Sequence, residues 1–118
     1  MSEVESKLVV CVPVTTEGLI DPRWGRANRV AITEVTGIGI GAWHEYEVGW
    51  ESLHDAGTEG SHHARVARFL QEHRVQAVVA NHMGEPMVHM LERMGVKVWL
   101  GAVGDAREAA VGAIDSQP

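Results

Sequence analysis

The chain has 118 residues and a mass of 12.8 kDa, room for one domain, and its 45% hydrophobic and 22% charged residues exclude a disordered chain. The net charge of −6 argues against general nucleic-acid binding, which needs a basic stripe, and the single cysteine, Cys11, excludes an internal disulfide or a multi-cysteine zinc site. The longest apolar run, Leu8 to Val14, falls far below the ~20 residues of a membrane-spanning helix.

Residues 1–6 are acidic and polar, read as a loose tail rather than a secretory leader. The expectation is a single cytoplasmic domain over 1–118, with its core at about 7–114 and a second short tail at Asp115–Pro118. Charge is uneven along it. The first sixty residues hold ten of the sixteen acids and four of the ten bases, yet three of those bases, Arg23, Arg26 and Arg29, stand close together.

Lys7 to Val14 predicts a buried strand, because Val9, Val10 and Val12 are β-branched and no helical stripe fits. Residues 15–28 predict a long loop through Asp21-Pro22 and Gly25. Val30 to Val35 predicts a second strand, and Gly37 opens the turn into a third. In the third, His44, Tyr46, Val48 and Trp50 fall on one face and Trp43, Glu45, Glu47 and Glu51 largely on the other. The glutamates suit an edge strand, and Glu45, Glu47, Glu51, Asp55 and Glu59 together read as a solvated acidic edge.

The period then changes. Ser61 is placed to cap a helix with His62, Val66, Phe69, Leu70 and His73 on its inward face. Val75 to Ala80 predicts a fourth strand. Pro86 suits a helix's first turn; Met87, Met90, Leu91 and Met94 recur at helical spacing as core filling, and Gly95 supplies the stop. Val96 to Leu100 predicts a fifth strand, and Asp105 with Glu108 caps a last helix to Ile114.

Three antiparallel strands followed by two right-handed α-β crossovers predict a mixed five-stranded α/β sheet, order 3-2-1-4-5, flanked by helices. Ligands in such sheets bind beyond the carboxyl ends of the parallel strands, where the chain's direction along the sheet reverses. That edge should collect Thr15–Asn28, Gly49–His63, Asn81–Pro86 and Gly101–Asp105, bringing Arg23 and Arg26 near His62, His63 and His82. Imidazoles can ligate a metal, and Met83 offers a thioether. Gly84 permits close backbone approach, and arginines suit an anion. Cys11, mid-strand, reads as a small buried hydrophobe. Gly37, Gly39 and Gly41 are not followed by a helix and so do not form a dinucleotide loop. The strands Leu8–Val14 and Val75–Ala80 carry no carboxylates, which argues against two-metal phosphodiester cleavage.

Val9–Val14, Trp24-Gly25-Arg26-Ala27 leading into a strand, Gly60–His63, and Met83-Gly84 with Met87, Met90, Leu91 and Gly95-Val96 together carry a resemblance. In that order they resemble the dinitrogenase iron–molybdenum cofactor biosynthesis family, over about Leu8 to Ile114. Many members have a histidine–phenylalanine–glycine run where this chain has Arg23-Trp24-Gly25. The resemblance implies a ribonuclease H-like three-layer fold. It also implies a non-enzymatic carrier of an iron- or molybdenum-containing sulfide cluster, or its metal precursors, with cofactor-assembly proteins as partners and neither nucleic acid nor membrane. On it, Arg23, Trp24, Gly25, Arg26, His62, His63, His82, Met83 and Gly84 are the expected cofactor-binding residues, with His62 and His82 as metal ligands. The alternative is a regulatory or scaffold domain that keeps the fold and binds a protein; a hydrolase or transferase using His62 or His82 as base ranks third.

Overall fold

The computed structural model describes residues 7–54 and 57–115. The expected tails at 1–6 and 116–118, and Asp55 of the acidic edge, lie outside this set, while Asp115 closes the last helix. Strands β1 (Leu8–Pro13), β2 (Arg29–Thr36) and β3 (Gly39–Glu47) come first, with a 3-10 turn at Trp24–Arg26 between β1 and β2. Helices α1 (Trp50–His54) and α2 (Glu59–Glu72), strand β4 (Ala77–Val79), α3 (Glu85–Arg93), β5 (Lys97–Trp99) and α4 (Ala106–Asp115) follow.

The sheet runs β3-β2-β1-β4-β5, so β1 is internal as its apolar run requires. β1 pairs antiparallel with β2 from Leu8↔Val35 to Pro13↔Val30, and parallel with β4 at Val10↔Ala77 and Cys11↔Val78. β3 closes one edge and the three-residue β5 the other. Alternation along β1 then feeds two cores. Cys11 faces Val66 and Leu70 of α2 and Met87 and Leu91 of α3; Val10 and Val12 face Ala106 and Ala110 of α4. Each large aliphatic side chain so buried contributes about 1.5–3 kcal/mol before chain entropy is charged against it. This three-layer arrangement is compatible with the ribonuclease H-like expectation. Among the described residues, no helix is long and apolar enough to cross a membrane.

Local differences have local causes. Thr58, not Ser61, caps α2: its Oγ1 accepts from the Ser61 N–H at 3.0 Å, and the Ser61 hydroxyl donates back to the Thr58 carbonyl at 2.9 Å. The helix therefore starts a turn earlier than expected. β3 stops at Glu47 because Gly49, at φ +62°, turns the chain, and Trp50 begins α1 rather than extending the strand. Tyr46 and Val48, expected on one face with His44, pack toward α2, but His44 is exposed. Trp43 is half-buried on the α4 side, with the Arg107 guanidinium 4.5 Å above its ring centroid. The stop at Gly95 holds: the Val96 N–H reaches the Leu91 carbonyl at 2.9 Å and the Gly95 N–H reaches Glu92 at 3.0 Å, with Gly95 at φ +82°.

Candidate functional site

β1 hands the chain to β2 on one side, while β4 and β5 extend the sheet on the other, so the direction reverses between β1 and β4. Four segments are knitted together beyond that point. Arg23 forms a parallel backbone bridge with His82, and Leu19 bridges Asp105. The Ile20 N–H donates to the Gly104 carbonyl at 2.8 Å, and the Asn81 side-chain amide donates to the Ala102 carbonyl at 3.1 Å. On the far side the Trp50 N–H donates to the Ala27 carbonyl at 3.0 Å.

The Arg23–Arg26 strip is anchored from below. Asp21, nearly buried, accepts from the Arg23 backbone N–H at 3.0 Å and from its Nε at 3.5 Å, while Arg23 Nη2 meets Glu51 Oε1 at 3.1 Å. Those two carboxylates, Asp21 first, push the Arg23 pKa up, and its guanidinium is half-exposed. Trp24 is buried edge-to-face on Trp50, ring centroids 5.1 Å apart, and its indole Nε1 has no hydrogen-bond partner among the described residues. Gly25 and Arg26 are half-buried.

Gly25 permits a close approach, since a Cβ there would lie 3.6 Å from His62 Nε2. His62 is only 3% exposed, edge-on to Trp50, with Arg65 Nη1 at 3.2 Å from its Nδ1. A guanidinium only donates, so Nδ1 accepts and the ring proton sits on Nε2, the nitrogen facing Gly25. His62 thus presents a hydrogen-bond donor behind the strip rather than an open ligand lone pair. His63 is half-buried and lines a cavity of about 420 Å³ with Glu85, Pro86, His89, Met90 and Arg93. His82 is exposed, Met83 is buried in the core, and Gly84 is the exposed N-cap of α3.

Arg23 and His82 are thus brought side by side, and Gly25 and His62 likewise; Met83 is turned away and His63 faces a neighbouring cavity. Among the described residues, no three histidine, cysteine, aspartate or glutamate side chains are grouped to hold a metal ion. The set offers arginine charge, already met at Arg23 by Asp21 and Glu51, and one exposed imidazole, not an all-protein tetrahedral metal site. Two features of this edge lie outside the expectation from sequence. Glu51 clamps Arg23 across twenty-eight positions, which no spacing rule reveals. Arg65 holds His62 at the i, i+3 spacing of α2, a signal present in the sequence once the inward face is assigned.

The profile of a family described as dinitrogenase iron–molybdenum cofactor matches residues 6–116, nearly the whole chain. The protein belongs to that family. No curated protein sequence gives a significant match. Solved structures give the fold independently. The crystal structure of PH0822 superposes with a TM-score of 0.74 at 14% identity, over 93% of this chain and 92% of that one. The apo form of the orange protein from Desulfovibrio gigas gives 0.70 at 20% identity, over 92% and 88%. A protein of Methanocaldococcus jannaschii described as a candidate dinitrogenase gives 0.67 at 10% identity, over 96% and 99%. At such identities the likeness carries the fold. The family assignment rests on the profile, and it agrees with the resemblance of the ordered motifs from Val9 to Val96.

Proposed function

We propose that this member of the iron–molybdenum cofactor family is a cytoplasmic, non-enzymatic carrier whose cargo is an anionic metal–sulfur cluster or its metal precursor. The observation that carries the reading is the Arg23–His82 bridge at the strand-reversal point, on a chain matched to the family over 6–116. The cargo rests against the strip Arg23-Trp24-Gly25-Arg26 and the turn His82-Met83-Gly84, with His62 and His63 behind. His82 is the exposed ligand. Backed by Arg65, His62 turns its buried Nε2, which has no hydrogen-bond partner among the described residues, toward Gly25, and it can ligate there only after losing its Nε2 proton. Gly25 and Gly84 let a bulky inorganic ligand approach the backbone.

Exposed Leu19, Leu100 and Val103, the last 75% exposed, flank the same edge and favour a protein partner there, as delivery to assembly proteins requires. The same patch is what the alternative, a scaffold domain without cargo, would use.

Anaerobic reconstitution with iron, molybdenum and sulfide, followed by metal analysis and a visible spectrum, separates the two. A carrier retains stoichiometric metal and sulfide through gel filtration. His82→Ala weakens retention, and Arg23→Ala with Arg26→Ala lowers loading and removes most of its sensitivity to salt. Full loading in the combined His62→Ala, His82→Ala, Arg23→Ala, Arg26→Ala variant would remove this edge from the account.

A further inference from the structure

The end of β3 and the outer face of α2 enclose a groove that the cargo reading does not use. Its volume is about 620 Å³ and its apolar walls are Tyr46, Val48, Leu53 and Phe69. That volume falls within the ~300–1,000 Å³ of small-molecule sites. Aromatic contacts make the floor stiff: Tyr46 and Phe69 meet edge-on at 5.8 Å between centroids, and Trp50 and Phe69 at 5.9 Å. Leu53 is left 37% exposed on the rim.

Two guanidiniums stand over this floor, Arg65 and Arg68, one turn apart on α2. Among the described residues neither makes an ion pair, in a chain where Arg23 and Arg29 each hold two carboxylates. Arg65 instead donates to the Leu53 carbonyl at 3.5 Å and to His62 Nδ1 at 3.2 Å. Arg68 is exposed. Among the described residues the rim also carries two acids, but Glu47 is engaged by Arg29 Nη2 at 2.9 Å, and Glu72, one turn beyond Arg68, makes no ion pair with it. An apolar floor of edge-to-face rings beneath arginines lacking carboxylates suits one ligand chemistry.

We propose that this groove binds a small anion with a flat apolar body, such as an aromatic carboxylate or sulfonate. The rings cover the body and Arg68, with Arg65, meets the charge. A neutral molecule of the same shape leaves the charges unmatched, and an inorganic anion forgoes the apolar contact. Since Arg65 also holds His62, a ligand that draws this guanidinium outward loosens the imidazole behind Gly25. The proposal stands independently of the cargo reading, and its test needs no metal.

The test is fluorescence titration of the intact protein with anilinonaphthalene sulfonate and with phenylnaphthylamine, which shares the ring system but lacks the charge. The sulfonate should saturate at one per chain. Arg68→Gln should weaken it about fivefold, as loss of one partly exposed charge contact does, while leaving the neutral probe within about twofold. Leu53→Ala should weaken both probes, and Arg107→Gln, on the opposite face of the sheet, neither. Cooperative melting by circular dichroism shows that each variant is folded. Non-saturating binding overturns the proposal, as does an Arg68→Gln effect that is absent or equal for the two probes.

Discussion

Trp24 holds the Arg23–Arg26 strip in place, and truncating it in two steps separates packing from polarity. The indole is 1% exposed and packs edge-on against Trp50 at 5.1 Å. Removing it as Trp24→Ala forfeits the buried ring and the aromatic pair and leaves a cavity, a loss of about 3–5 kcal/mol. That is a large share of the ~5–15 kcal/mol of a typical domain. Trp24→Phe differs in kind. It keeps a ring against Trp50 and deletes the buried Nε1–H, which has no partner among the described residues. An unpaired buried donor costs about 1–3 kcal/mol, so its removal offsets much of the lost indole area. The expected net loss for Trp24→Phe is at most about 1.5 kcal/mol. Urea unfolding followed by far-UV circular dichroism measures both, provided the slope with denaturant is unchanged. A Trp24→Phe loss as large as that of Trp24→Ala would refute the reasoning, because the indole N–H would then be contributing a bond.

Arg74 ends α2 in the left-handed region at φ +55°, with the Val75 N–H on the Leu70 carbonyl at 3.0 Å, a position glycine favours. Arg74→Gly should raise stability by about 0.5–1 kcal/mol, read as a higher urea midpoint; a lower midpoint would mean that the arginine side chain supplies more than the backbone costs. Burial pushes the Cys11 thiol up, because the thiolate would be desolvated in the core. The folded chain then keeps this proton after the unfolded chain loses it. Stability is unaffected below the ordinary thiol range near ~8.5 and falls above it by up to about 1.4 kcal/mol per pH unit. Cys11→Ala should lack that alkaline slope, and equal slopes in the two proteins would contradict the assignment.

The sheet was legible where residue pattern alone decides structure. The β-branched run at Val9–Val12 can only be an internal strand, and the Met87-Leu91 stripe ending at Gly95 can only be a short helix. What stayed hidden depends on contacts distant in the chain. Trp50 continues the alternation of β3 in sequence, yet in space it starts α1, because Gly49 turns the backbone and Trp24 receives the indole. Thr58 and Ser61 are both good caps, and only the position of the first turn chooses between them. At the candidate site, strand direction places Arg23 beside His82. It does not show that His62, on an inward helix face, is shielded by Arg65 and Trp50, nor that Asp21 and Glu51 already occupy Arg23.

The central claim is that a metal–sulfur anion rests between the Arg23–Arg26 strip and the His82–Gly84 turn. The most direct measurement is an amide chemical-shift titration of the labelled protein with tetrathiomolybdate under anaerobic conditions. The account predicts saturable shifts concentrated at residues 23–26, 62–63 and 82–84, with the groove residues Arg68 and Phe69 unmoved, and loss of those shifts in the Arg26→Ala, His82→Ala variant. Saturable shifts centred elsewhere, or identical shifts in that variant, would contradict it.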